Sequence, residues 1–282
     1  MSNFIDELLV LDGAFAPDYQ QAQVGGGSIV AYTARAPDKE TENEDTVAVI
    51  PWGPEAVVLV IADGAGGLPA GKRASLTAIT SLVNSLGIAM AETMLLRTAI
   101  LDGIETANDA VKQLANGSAT TLTVVTVEGQ LARSYQIGDS EAMVVGQRGR
   151  IKLQTTAHSP TGFAVEAGFL DEREALHHEE RHLVSNFLGT VDMSVDIATP
   201  VELQPRDTVL LASDGLTDNV HLEEIIEHVR KGPIDAAANA VIELARQRMS
   251  ATTATEPSKP DDLSLIVFRK QPRTGRRSTR DA

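Results

Sequence analysis

The stretch Val57-Val58-Leu59-Val60-Ile61-Ala62 is apolar at every position and stops abruptly at Asp63-Gly64. A half-exposed strand would alternate apolar and polar residues, whereas an unbroken apolar run needs apolar partners on both faces. The chain must therefore fold in layers, with this strand inside and a carboxylate at its tip. At 282 residues and 43% hydrophobic content, it is long enough to bury such a core.

The same junction of apolar strand and acid recurs. Asp139 follows Tyr135-Gln136-Ile137-Gly138, and Asp214 follows Val209–Ser213 and precedes Gly215. Asp261-Asp262 precedes Leu263–Phe268, and Asn43-Glu44-Asp45 precedes Thr46–Ile50. Any one Asp-Gly pair is ordinary turn chemistry. Five acidic loops at strand ends read better as one shared site. Carboxylates beside apolar strands are costly unless paired, and no run of basic residues accompanies them in the sequence. A divalent cation pair is the simplest neutraliser. Hard oxygen ligands in a chain with no cysteine select magnesium, manganese or calcium over zinc.

Composition excludes several classes. The net charge of −15 argues against nucleic acid as a partner, and the absence of cysteine removes a disulfide scaffold and a thiol nucleophile. No stretch approaches the ~18 consecutive apolar residues of a membrane span, and the acidic first ten residues do not read as a signal peptide. A cytoplasmic protein with no membrane partner is expected, acting as a monomer.

Strand candidates are Ser28–Ala34, Val57–Ala62, Thr120–Val127, Ala132–Ile137, Ala142–Val145, Ile151–Leu153, Val201–Leu203, Thr208–Ala212 and Leu263–Phe268. Helices are expected over about 70–87 and 93–115, the second closed by Asn116-Gly117, and over Leu222–Val229 and Ile234–Met249. This order is not a regular βαβ alternation and predicts an α+β layered fold, with helices on sheets. Residues 1–27, ending in the run Gly25-Gly26-Gly27, are read as an N-terminal extension. Residues 28–270 form the domain, with an irregular, partly helical segment over about 155–190. Residues 271–282 form a flexible basic tail. His177, His178 and His182 read as a solvated helix end, and His158 as a structural hydrogen-bonding residue.

Taken in order, these loops resemble the motifs of the metal-dependent type 2C (PPM) serine/threonine protein phosphatases, particularly the compact bacterial ones. The resemblance rests on Asn43-Glu44-Asp45; Asp63-Gly64-Ala65-Gly66-Gly67 with Gly71, Ala74 and Ser75; and Ala119-Thr120-Thr121-Leu122-Thr123. It continues through Gly138-Asp139-Ser140, His158-Ser159-Pro160 to Leu188-Gly189, Ser213-Asp214-Gly215-Leu216-Thr217-Asp218 and Asp261-Asp262-Leu263-Ser264. It implies a central antiparallel β-sandwich flanked by helix pairs, with manganese or magnesium at one end, two ions per site with room for a third. It further implies that Asp63 bridges both ions, that the Gly64 carbonyl binds one, and that Asp214 and Asp261 bind the other. Glu44 and Asp45 would act beside them, Asp139 would serve the third position, and Asp262 would stand behind the ligands. The arginine that many members use to grip phosphate stands as Glu40 here. Arg35 is assigned that role because its guanidinium can hold phosphate bidentately, with Lys39 as the alternative. The expected reaction is hydrolysis of phosphoserine and phosphothreonine in protein substrates by water, without a covalent intermediate. The alternatives are a catalytically weak member of the fold acting as a binding or regulatory module, and a phosphatase for small phosphorylated metabolites.

Overall fold

The computed structural model describes residues 8–65, 70–115, 117–251 and 256–271. The chain opens with strands β1 (Leu9–Leu11), β2 (Asp18–Val24), β3 (Gly27–Ala34), β4 (Thr46–Pro51), β5 (Ala56–Ala62) and β6 (Gly64–Ala65). Helices α1 (Ala70–Ala91) and α2 (Leu96–Lys112) precede β7 (Ala119–Thr120), β8 (Leu122–Glu128), β9 (Leu131–Ile137), β10 (Glu141–Val145) and β11 (Ile151–Gln154). Then come α3 (Pro160–Glu166), α4 (Glu172–Leu176), β12 (Asp196–Ile197), β13 (Val201–Glu202) and β14 (Thr208–Ala212). The last elements are α5 (Asp214–Thr217), α6 (Leu222–Val229), α7 (Ile234–Met249) and β15 (Leu263–Lys270).

Two antiparallel sheets carry the fold. One runs β1-β4-β5-β8-β9-β12, with β13 also on β9, and the other runs β11-β10-β14-β15-β3-β2. Strand alternation then sorts the apolar residues into layers. Val57, Leu59 and Ile61 point between the sheets, where they meet Ile29, Ala31, Val209, Leu211, Ile266 and Phe268. Val58, Val60 and Ala62 point the other way, onto Ala78, Leu82 and Leu86 of α1 and Ile100 and Ile104 of α2. On the far side, Leu210, Leu265 and Val267 pack against Ile225, Val229, Val241 and Ala245 of α6 and α7. The order is helix, sheet, sheet, helix, and the six-residue apolar run is buried on both faces as its composition requires. By length and composition α1 could cross a membrane; here its apolar side is the layer over the first sheet.

The N-terminal boundary differs from expectation. Residues 9–24 are not an extension before the domain: β1 forms the outer strand of one sheet and β2 the outer strand of the other. Gly25 and Gly26, at φ +57° and +70°, form the two-residue turn of the β2–β3 hairpin. Positive φ at both turn positions suits the right-handed twist of the paired strands, and glycine adopts it without a Cβ clash. A run that reads as flexible is thus a tight turn. In the first sheet's helix pair, α1 runs four residues past the expected end and α2 stops at Lys112, short of 115. Asn116, Gly66, Gly67 and the basic tail beyond Gln271 lie outside the described residues.

Candidate metal centre

Strand register brings the acidic loops to one end of the sandwich. Thr46, just after Asp45, pairs with Ala62, just before Asp63. Ile61 pairs with Thr123, and neighbouring Leu122 pairs with Ile137, two residues before Asp139. In the second sheet, Glu141 pairs with Ala212, two residues before Asp214, and Ala212 pairs with Leu265, close after Asp261 and Asp262. Acids up to about two hundred residues apart in sequence are therefore neighbours.

Each carboxylate starts from a fixed backbone. The carbonyl of Asp63 accepts from the Thr121 N–H and the Thr120 hydroxyl, both at 2.8 Å, and its own N–H donates to Thr121 Oγ1 at 3.0 Å. Gly64 continues into β6, paired with β7. A Cβ at Gly64 would strike the Gly71 backbone, and one at Gly71 would strike the Gly64 carbonyl and the Glu44 carboxylate. Only glycine lets these groups approach so closely. Asp45 is fully buried; its N–H donates to Asn43 Oδ1 at 3.0 Å and its Oδ2 accepts from Ser213 Oγ at 2.9 Å. Gly138, at φ +98°, turns the chain into Asp139, and its N–H donates to His158 Nδ1 at 3.2 Å. His158 is the structural residue expected; its Nε2 lies 3.1 Å from Asp196.

The acids crowd one another. Burial drives the Asp63 carboxyl well above the usual range, and the charges of Asp45, Asp214, Asp139 and Asp261 push it further. Asp45 is raised well above its ordinary value by burial, then by Asp262. Asp139 rises to about 8 through burial and the charges of Asp214 and Asp218. Asp261 rises to about 7 through burial and Asp214. Three buried oxygens, Glu44 Oε1, Asp45 Oδ1 and Asp214 Oδ1, have no hydrogen-bond partner. A buried carboxylate oxygen left bare is expensive, and a divalent cation is the group that satisfies several at once. The chemistry of the donors fits magnesium or manganese: they are hard carboxylate oxygens, and these three have no other partner.

Two lysines stand among them, which the absence of basic runs in the sequence did not suggest. Lys39 Nζ lies 2.6 Å from Asp262 Oδ2 and 2.9 Å from Glu44 Oε2. Lys259 Nζ reaches Asp214, Asp218 and Asp261. Among the described residues no three acid or histidine side chains close around a single point; the ammonium groups sit in contact with the carboxylates instead. The signal for Lys259 was its place two residues before Asp261. Arg35, expected to reach the phosphate, is not brought to the acids: its guanidinium carbon lies 5.8 Å from the centre of the Phe15 ring. The reason is Asp262, which accepts from the Ala36 and Glu44 N–H groups at 2.8 and 2.7 Å. That ties loop 36–44 so that Lys39, not Arg35, faces inward.

Beside Asp139, Asp214 and Asp218 opens a cavity of about 300 Å3. It is lined by the segment with α3 and α4, from Ser159 to Arg181, and by Glu141 of β10. Burial lifts Glu141 to about 8, helped by Glu172. The histidines His177 and His182 lie exposed after α4, as expected of a solvated helix end.

Comparison with known proteins agrees with this architecture. The solved structure of Staphylococcus aureus serine/threonine phosphatase Stp1 superposes with a TM-score of 0.72 at 24% identity, over 93% of this chain and 97% of that one. The catalytic domain of the serine/threonine protein phosphatase PstP, in complex with two manganese ions, gives 0.66 at 23% identity over 94% and 100%. In sequence, the protein phosphatase PhpP of Streptococcus pneumoniae is 31% identical over 199 residues, 66% of this chain and 78% of the relative. The serine/threonine phosphatase stp of Listeria welshimeri is 30% identical over 206 residues, 67% and 79%. The model of the family described as protein phosphatase 2C matches residues 22–254. The sandwich, the acids gathered at its end and these matches agree: the chain belongs to the protein phosphatase 2C family.

Proposed function

We propose that this chain hydrolyses phosphoserine and phosphothreonine in protein substrates, with manganese or magnesium held by Asp63, the Gly64 carbonyl, Asp214 and Asp261. Glu44 and Asp45 stand beside these ligands, and Asp139 at the outer side. The observation that carries the reading is the set of bare buried oxygens on Glu44, Asp45 and Asp214. The manganese in the PstP complex and the serine/threonine phosphatase relatives support it. Divalent ions bound there would supply positive charge toward the phosphoryl oxygens and lower the pKa of water enough to make a nucleophile near neutral pH.

The chain's own residues supply position. Thr120 and Thr121 pin the Asp63 backbone and so fix the point from which its carboxylate reaches. Ser213 holds Asp45 through Oδ2 and leaves Oδ1 free. Asp262 is buried and both its oxygens serve loop 36–44, so it organises that loop; Asp261, whose Oδ1 accepts from the Asp262 N–H and whose Oδ2 faces Lys259, is the more accessible of the two and is the ligand we assign. The cavity beside Asp139 has room for side chains flanking the phosphorylated residue.

The test is phosphate release from a phosphothreonine peptide with Mn2+, with chelator, and for Asp63→Asn. Turnover should require the ion, and the variant should lose about 100-fold or more in kcat. Turnover that persists in chelator overturns the metal assignment. Faster release from free phosphothreonine than from the peptide would favour a small-metabolite substrate. Feeble release from every substrate in Mn2+ would favour the binding-module alternative.

A further inference from the structure

Lys259 is held in place from both sides of its backbone. Its N–H donates to Asn219 Oδ1 at 2.7 Å, and its carbonyl accepts from Asn219 Nδ2 at 2.8 Å. Asn219 is fully buried and also donates to the Gly215 carbonyl, so the clamp belongs to the α5 region rather than to a loose loop. From this anchor the side chain reaches Asp214 Oδ2 at 2.5 Å, Asp218 Oδ2 at 2.7 Å and Asp261 Oδ2 at 3.3 Å. It is 22% exposed, so its charge acts with little screening by water. Asp214 is divided: Oδ2 is taken by Lys259 and Oδ1 has no partner.

We propose that Lys259 is a tethered cation that takes the place of a divalent ion on the Asp139–Asp218 side of the centre. Ions then load on the inner side, at Asp63, the Gly64 carbonyl and the bare Asp45 Oδ1 and Asp214 Oδ1, and Lys259 gives up Asp261 where an ion binds it. This rests on the metal-dependent reading above. A single positive charge on a tether costs no binding entropy and cannot be chelated. It steadies the acids when no metal is bound, and it repels a further ion from Asp139 and Asp218.

The experiment compares wild type, Lys259→Met, which keeps the apolar stem, and Lys259→Arg, which keeps the charge. Bound Mn2+ is counted by equilibrium dialysis, and Tm is measured in chelator and in Mn2+. Lys259→Met should bind an additional Mn2+ equivalent, or bind Mn2+ about tenfold more tightly. It should also melt below wild type in chelator and recover in Mn2+, while Lys259→Arg tracks wild type. If Lys259→Met is folded only when purified with Mn2+ and unfolds on its removal, that too supports the tethered cation. Unchanged Mn2+ count and affinity together with an unchanged Tm in chelator overturn it. Wild type that binds no Mn2+ would count against the proposed function, whereas a lowered chelator Tm of Lys259→Met would still support the lysine's role.

Discussion

Asp262 and Asp261 are adjacent acids with different work. Asp262 is 3% exposed and spends Oδ1 on the Ala36 N–H and Oδ2 on Lys39 and the Glu44 N–H. Asp261 is more exposed, accepts from the Asp262 N–H at Oδ1, and faces Lys259 at Oδ2. The acids themselves could be read from the sequence because each ends an apolar strand, and strand ends are where side chains can meet without breaking a sheet. The cations could not. Guanidinium chemistry favours Arg35 for phosphate, but which basic side chain turns inward is decided by a tie from loop 36–44 to Asp262, a contact 226 residues away in sequence. Arg35 on Phe15 and Lys39 on Asp262 and Glu44 predict opposite outcomes on substitution. Arg35→Ala should leave KM and kcat nearly unchanged and cost under about 0.5 kcal/mol. Lys39→Met leaves two carboxylates without their partner and should lower stability in chelator by about 1–3 kcal/mol. Urea titration and steady-state kinetics on one phosphopeptide measure both. A raised KM for Arg35→Ala with a silent Lys39→Met would restore Arg35 as the phosphate contact.

Elements with unbroken apolar runs or clear helical spacing were legible. The expected bounds Thr208–Ala212, Leu222–Val229 and Ile234–Met249 coincide with β14, α6 and α7. The strands that escaped notice are β1 and β2. Asp18-Tyr19-Gln20-Gln21-Ala22-Gln23-Val24 carries polar residues because it is an outer strand, with only one neighbour and one covered face. Outer strands are kept polar to block further pairing, which removes the alternation that marks a strand in sequence. The short peptide from residue 9 to residue 24 thus supplies an outer strand to each sheet, and its Leu11 and Val24 enter the core between them. A chain shortened to begin at Ser28 would bare the sides of β3 and β4 together and uncover that core. It should show no cooperative melt, or a Tm lowered by well over about 5 °C, and should associate in solution; calorimetry and light scattering read both. A monomeric fragment that melts like the full chain would restore residue 28 as the start of the domain.

At the scale of the molecule, three apolar layers hold together a structure that carries an electrostatically unfavourable cluster at one end. Such a conflict between stability and local charge is expected at a functional site and is offset by packing elsewhere. The conflict has a pH signature. Asp218, Asp261 and Asp139 are raised to about 6, 7 and 8, by burial first and then by Asp214. Asp45 and Asp63 are raised as well. Lys259, in contact with Asp218 and Asp261, and Lys39, in contact with Glu44 and Asp262, are themselves raised and stay charged throughout this range. Unfolded aspartates release their protons near pH ~4. Between that value and about 8, the folded metal-free chain retains protons that the unfolded chain has lost, so its stability must fall as pH rises. Bound Mn2+ reverses the sign, because ions bind the ionised carboxylates and displace those protons. In chelator, Tm should therefore decline from about pH 5 to about pH 8, and the gap between Tm with and without Mn2+ should widen over the same interval. Asp139→Asn, which cannot ionise, should flatten the upper part of the chelator curve. A chelator Tm that stays level or climbs across this window would mean that the acids are already neutralised by the two lysines, and the tethered cations would then account for the whole charge balance without metal.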